Sequence, residues 1–385
     1  MRSQANRLTL LLKSLILSLL VALLSACKMS PPPPNLFQKN ITINLGQSPA
    51  FLISEDLNRD GMMDIVSANS RNNSVSILYG NGDGSFQNPI SLSVLSEPTA
   101  AAVGDLNRDG YPDLIVNSRG DHCFVVLLSR GNGSFQPMRK QETGRVPLSI
   151  ILDDFNNDGQ LDLAVTLTFN SMEIYLGMGN GSFKKGPAYS TGATSFSGVS
   201  GDFNLDRKKD IALATSSSNS SAIRIYSGNG DGTFQLSGKF ADGLSPLALI
   251  KKDMNSDNRE DLIAAGGKGD NLYMFYANGD GSFQKEIPFS AGGGPISLVA
   301  EQFSDDGQMD VAVANSRSHS FSLVARGPDG HFKFPTRDYL TAGAPLSITS
   351  GDYDGDGAAD IAVAVTDLNN VEIYLNKTKV HMPKP

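Results

Sequence analysis

From residue 36 onward the apolar residues come in short runs, cut by polar turns, with no helical period. In one stretch the runs are Pro98-Thr99-Ala100-Ala101-Ala102-Val103, then Asp113-Leu114-Ile115-Val116, then Phe124 to Leu128. A more polar fourth stretch leads to the next proline. Proline is tolerated as the first residue of a strand. The second run returns as Asp162-Leu163-Ala164-Val165 and Asp360-Ile361-Ala362-Val363, the third as Val75 to Leu78 and Val371 to Leu375. A glycine turn, Gly131-Asn132-Gly133-Ser134-Phe135, follows the third run, and other copies end at Phe86, Phe183, Phe234, Phe283 and Phe332. Short runs between regular turns predict four antiparallel strands per unit.

Between the first and second runs stands an acidic loop of nine residues, Asp56-Leu57-Asn58-Arg59-Asp60-Gly61-Met62-Met63-Asp64. Further copies begin at Asp105, Asp154, Asp202, Asp253, Gln302 and Asp352, at intervals of 49, 49, 48, 51, 49 and 50 residues. A fixed period of this length means a repeat architecture. Pro49, Pro98, Pro147, Pro246, Pro295 and Pro345 stand seven residues before six of the seven loops. Four antiparallel strands repeated radially make a propeller blade, so the expected fold is all-β: a seven-bladed β-propeller over residues 36–376. The ends complement each other. Leu36 to Asn58 align without a gap to Ser85 to Asn107, so the chain opens on a fourth strand, and the seventh repeat stops after its third, at Asn376. A strand near 37–45 is therefore expected to complete the last blade and remove the open edges. Residues 377–385 remain as a tail.

Oxygen ligands at alternating positions suit Ca²⁺, which takes six to eight of them in a flexible geometry. Side chains at positions one, three, five and nine can converge, with the carbonyl of position seven adding another oxygen. The candidate ligands are Asp56, Asn58, Asp60, Asp64 and the carbonyl of Met62; Asp105, Asn107, Asp109, Asp113 and Tyr111; Asp154, Asn156, Asp158, Asp162 and Gln160; Asp253, Asn255, Asp257, Asp261 and Arg259; and Asp352, Asp354, Asp356, Asp360 and Ala358. The fourth copy, Asp202, Asn204, Asp206, Asp210 and Lys208, is a weaker candidate. Arg207 replaces its turn glycine and lysines follow, so both its charge and its turn are expected to be compromised. Asn258 holds the glycine place in the fifth copy. The sixth, with Gln302, Ser304, Asp306 and Asp310, has two carboxylates and is expected to be empty. Four or five Ca²⁺ sites result. Position twelve is a strand residue such as Ser67 or Val116, so the loop is not an EF-hand, which needs Glu there and flanking helices.

These copies resemble the FG-GAP and VCBS-type repeats of integrin α-subunit propellers and bacterial surface proteins, over roughly residues 36–376. The resemblance implies calcium in the loop joining strands one and two of each blade, and partners on the opposite face. That face would carry the turns between strands two and three, where Asn-Ser-Arg recurs at 69–71, 117–119 and 315–317. His122 and His319 occupy equivalent places in these turns, and Cys123 is expected to start a third strand as a buried thiol.

At the N-terminus Arg2, Arg7 and Lys13 precede a mostly apolar stretch, Leu15 to Leu24, followed by Ser25-Ala26-Cys27. This reads as an export signal over residues 1–26. Leu24-Ser25-Ala26-Cys27 resembles the lipobox of bacterial lipoproteins, which implies acylation of Cys27. Residues 27–35, with Pro31 to Pro34, form a stiff spacer. A lipid-anchored envelope protein is expected, with the outer membrane favoured.

The formal charge of −8 argues against nucleic acid as a partner. With no Trp, four His and two Cys, the groups for acid–base chemistry are few. The expected function is a non-enzymatic, monomeric, calcium-stabilised module that binds protein or glycan. The alternative is a calcium-dependent carbohydrate-active enzyme such as a polysaccharide lyase.

Overall fold

The computed structural model describes residues 35–218, 220–267 and 269–378. The export signal, Cys27, the proline spacer and the last residues of the tail lie outside them.

Seven four-stranded antiparallel sheets stand around an axis, six of them in the order of their strands along the chain. The first blade is Pro49–Glu55, Asp64–Asn69, Ser74–Leu78 and Ile90–Ser93. Second and third strands are buried on both faces, because each blade is sandwiched between two others; Asp113–Ser118 and Cys123–Leu127 carry no exposed residue. Cys123 is the buried thiol that opens its strand. Fourth strands lie at the rim and are polar, as in Arg139–Glu142. Seven apolar clusters fill the seven gaps between blades. One joins Val66, Val75 and Ile77 of the first blade to Leu114, Val116 and Val125 of the second.

The ring closes as expected. Phe37–Asn44 pairs antiparallel with Asn370–Asn376, Phe37 opposite Asn376 and Asn44 opposite Asn370, and it completes the sheet of Pro345–Gly351 and Asp360–Val365. The last gap holds Ile65 and Leu78 of the first blade against Ala362, Val371 and Ile373 of the seventh. Phe37 meets Phe303, Phe321 and Tyr339 edge-on at 5.4–5.7 Å.

The innermost strands line a central channel of ≈ 330 Å³. Pro49, Pro147, Pro295 and Pro345 open theirs, but the second begins at Ala101 and the fifth at Ala248, later than the prolines predict. In the second blade a side chain has replaced the ladder. Asn117 Oδ1 accepts from the N–H groups of Thr99 and Ala100, both at 2.8 Å. In five blades the ladder skips one residue near the start of the innermost strand: Ala50, Leu148, Phe196, Ile296 and Leu346 are bulged out of register. A bulge bends the strand and re-aims its side chain.

Candidate metal centre

The seven acidic loops share one face, next to the glycine turns, and one backbone design. The N–H of position seven donates to the position-five carboxylate in all seven copies, as from Met62 to Asp60, Gln308 to Asp306 and Ala358 to Asp356. The N–H of position six donates to the position-one carboxylate in six, from Gly61 to Asp56 and Gly357 to Asp352. This geometry needs a left-handed residue at position six. Gly61 takes it at φ 84°, and Asn258 and Arg207 take it at φ 62° and 66°. The fourth loop therefore keeps its turn, contrary to expectation: Arg207 N–H reaches Asp202 at 2.8 Å. What changes is charge, with Lys208 Nζ 3.9 Å from Asp206.

In the seventh loop, oxygens of Asp352, Asp354 and Asp356 lie within 4.8 Å of one another, the one such gathering of three acids among the described residues. Burial, then the charge of Asp356, raises the Asp354 pKa. In four of the five copies with Asn at position three, the amide donates to the position-five carboxylate, as from Asn107 to Asp109 at 2.8 Å, leaving two acids at the tip. The sixth loop is held differently. Ser304 Oγ lies 2.9 Å from both Asp306 and Asp310, within reach of either for its one O–H, and Lys333 Nζ stands 3.4 Å from Asp306.

The position-nine aspartates (Asp64, Asp113, Asp162, Asp210, Asp261, Asp310 and Asp360) are fully buried. Each carboxylate links two backbone segments. In Asp113 one oxygen accepts from Leu106 N–H at 2.9 Å, the other from Ser129 N–H, at the mouth of the glycine turn, at 2.7 Å. Asp64 does the same with Leu57 and Gly80, and Asp360 with Tyr353 and Asn376. Burial lifts their pKa to about 6, and that of Asp360 to about 7, against the pull of these donors. Each oxygen keeps a second lone pair, so the residue can also face a cation from below.

Position two was not singled out in the sequence, yet it joins the blades. Leu57, Leu106, Phe155, Phe203, Met254, Phe303 and Tyr353 are all buried. The carbonyls of Tyr353, Leu106, Phe155 and Phe203 accept from the turn glycines of the next blade, Gly84, Gly181, Gly232 and Gly281, at 2.8–3.0 Å. The aromatic that ends each turn covers the same contact: Phe86 meets Tyr353, Phe234 meets Phe155, and Phe283 meets Phe203 at 5.3–5.7 Å. The signal was available, since position two is bulky and apolar in every copy.

On the opposite face, Ser70, Ser118 and Ser316 of the three Asn-Ser-Arg copies donate to the carbonyls of Ser48, Ser96 and Gly294. The recurrence is thus turn architecture. His122 and His319 are turn residues at φ 52° and 48°, a conformation Asn73 and Asn369 share at equivalent places. Both histidines are exposed.

A carboxylate-rich loop with a buried acid beneath it fits a hard divalent cation. A model of the FG-GAP-like repeat matches residues 56–116, 154–213, 253–313 and 303–363, each segment running from one acidic loop into the next blade. None of the curated proteins compared with the chain matches it. Solved structures match in fold. BBS1N, crystallised in complex with ARL6DN and soaked with mercury, aligns with TM-score 0.63 and 12% identity over 90% of this chain and 99% of that one. Raptor of Chaetomium thermophilum aligns with TM-score 0.59 and 11% identity over 90% of this chain and 30% of that one. The family segments span more than half of the sequence and keep the register of the blades, and the chain belongs to the FG-GAP-like repeat family.

Proposed function

We propose that this propeller is a calcium-stabilised interaction module, tethered to an envelope membrane through Cys27, that binds a protein partner without catalysing a reaction. The observation that carries the metal is the cluster of Asp352, Asp354 and Asp356 over the buried Asp360. Three carboxylates so close repel one another, and Ca²⁺, when bound, supplies the positive centre that relieves this. Asp56, Asp105, Asp154 and Asp253 with their loop partners would hold further ions. At an extracellular-type Kd of about 10⁻⁴–10⁻³ M and roughly millimolar Ca²⁺, each site adds about 0.4–1.4 kcal/mol.

The binding role is supported by the fold, on which BBS1N meets ARL6, and by a face of turns that differ from blade to blade. The tether is consistent with where the described chain begins. Leu36 and Phe37 N–H groups donate to Tyr339 Oη, and Lys377 N–H to the Leu36 carbonyl, beside the sixth acidic loop. Both ends of the described chain therefore lie on the loop face, and a lipid at Cys27 would turn the opposite face outward.

The test is a thermal melt of the purified protein with EDTA and with millimolar Ca²⁺, beside fractionation of cells expressing wild type and Cys27→Ser. A rise in Tm with Ca²⁺ and release of the variant from membranes are expected. An unchanged Tm removes the metal, and an unchanged distribution removes the tether.

A further inference from the structure

On the face away from the acidic loops, the channel opens into an apolar mouth of ≈ 410 Å³. Its wall is made largely by residues that the bulges expel from the ladder: Phe196, Ile296 and Leu346, joined by Leu247 of the fifth blade. Phe196 is 50% and Leu247 37% exposed, although each belongs to the innermost part of its blade. Below them the polar groups are already spent. Ser197, Ser297 and Ser347 hydroxyls accept from the N–H groups of Leu249, Ile348 and Leu52 on neighbouring blades at 3.0–3.2 Å. The mouth thus offers an apolar seat above hydroxyls that are already bonded to the neighbouring blades.

Leu247 and Ile296 are also the inner wall of a second cavity, ≈ 410 Å³, running outward between the fifth and sixth blades. Its space exists because its sides are glycine: Gly266, Gly267, Gly269 and Gly294. At Gly267, a side chain would lie 2.0 Å from the Leu244 carbonyl, so the turn admits only glycine. The outer end is closed by Arg317 and Asp270. Mouth and arm together form one groove, apolar at the axis and charged at the rim.

The acids of this face are held by backbone or side-chain partners, Glu97 excepted. Asp121, Asp270 and Asp367 on this face turn inward and accept from the N–H groups of Ser96, Gly294 and Ala344. Asp242 pairs with Lys239, and Glu97 remains exposed. Arg71, Arg145 and Arg317 are exposed, and Arg317, bonded to Asp270 through Nη2, keeps further donors. A guanidinium carries five N–H donors and can donate to a second carboxylate. Both described ends of the chain lie on the other face.

We infer that this groove receives an extended segment of a partner protein, with a bulky apolar side chain seated among Phe196, Leu247, Ile296 and Leu346, and an acidic side chain on Arg317. The inference rests on the reading of the propeller as an interaction module and names the place and chemistry of contact.

The experiment selects phage-displayed random dodecapeptides on the full chain in detergent with Ca²⁺. Enriched peptides should pair a Leu, Phe or Met with a nearby Asp or Glu. Phe196→Ser combined with Leu247→Ser should weaken a selected peptide at least tenfold, and Arg317→Ala should weaken it several-fold while abolishing the preference for an acid over its amide. Melting curves matching wild type would show that these exposed positions leave the fold intact. No enrichment, or peptides indifferent to all three substitutions, overturns the inference. So does a mouth shown to bind a glycan panel, or a second copy of the chain by light scattering, in a manner lost with the same substitutions. Photo-crosslinks from a partner to Met62 or Leu205 on the loop face would overturn the groove while leaving the interaction module standing.

Discussion

The N–H of Gly84 donates to the carbonyl of Tyr353 at 2.8 Å, so the glycine turn of the first blade is bonded to the acidic loop of the last. Tyr353 is 1% exposed, its ring meets Phe86 at 5.5 Å, and its hydroxyl lies 2.6 Å from Ser54 Oγ. Tyr353→Ala should cost about 3–5 kcal/mol, the range for emptying an aromatic site. Urea denaturation would read it. A cost under about 1 kcal/mol would mean that the closing contact is incidental.

The position-nine aspartate separates structure from metal. Asp113→Ala strands the buried N–H groups of Leu106 and Ser129, at about 1–3 kcal/mol each. The loss should persist in EDTA. Asp310→Ala, in the loop whose tip carries the fewest acids, should cost as much, because its oxygens serve Arg326 and Ser304 in the same way. Were the aspartate only a calcium ligand, denaturation in EDTA would show neither effect.

Acid should stabilise the metal-free protein. The folded-state pKa of these carboxyls is raised from 3.8 to about 6, or about 7 for Asp360. Folding therefore favours their protonated form. The penalty for ionising them is fully present above about pH 7 and disappears progressively as pH falls through 6 toward the unfolded value. In EDTA, Tm should rise by several degrees between pH 7.5 and 5.5, and saturating Ca²⁺ should remove or invert the trend. Below roughly pH 4.5 carboxylates with lowered pKa, such as Asp121 and Asp270, begin to lose their bonds and oppose it. A Tm that falls steadily from pH 7.5 in EDTA contradicts the assignment.

Calcium stoichiometry should fall by one site in Asp356→Ala, which removes a ligand from the triple cluster, while Asp306→Ala in the sixth loop should leave it unchanged. Native mass spectrometry counts the ions directly. Equal losses would show that the sixth loop is a site in its own right.

The blade count, the register and the closing strand were legible because each rests on a strict period, which two complementary ends make cyclic. The loop tips were legible for the same reason. Two things were not. The alternation that marks a strand hides a bulge, so nothing in Pro295-Ile296-Ser297 announces that Ile296 is expelled toward the channel mouth. Nor does an aspartate declare which way its oxygens face. Position nine reads as a fourth ligand of the loop, and its bonds to backbone on either side emerge only when the glycine turn is folded beside it. Arg207 misled in the opposite direction. Its side chain suggested a broken turn, but the surrounding bonds hold it at a left-handed φ that glycine would take more easily.

Phe37–Asn44 imposes an order of events on the ring. It is among the first strands to be made and its partner, Asn370–Asn376, is the last. Until the final residues arrive, it has no ladder to join, and the seventh blade has no rim. Contacts between distant parts of a chain form slowly, and unpaired edges in a half-made sheet invite aggregation. The waiting strand is suited to the delay. Gln38, Lys39 and Asn40 are exposed even in the finished blade, and Phe37 alone of its eight residues is buried. Through synthesis this strand can stay solvated and unattractive to others, and Phe37 then locks the circle once the last blade can receive it.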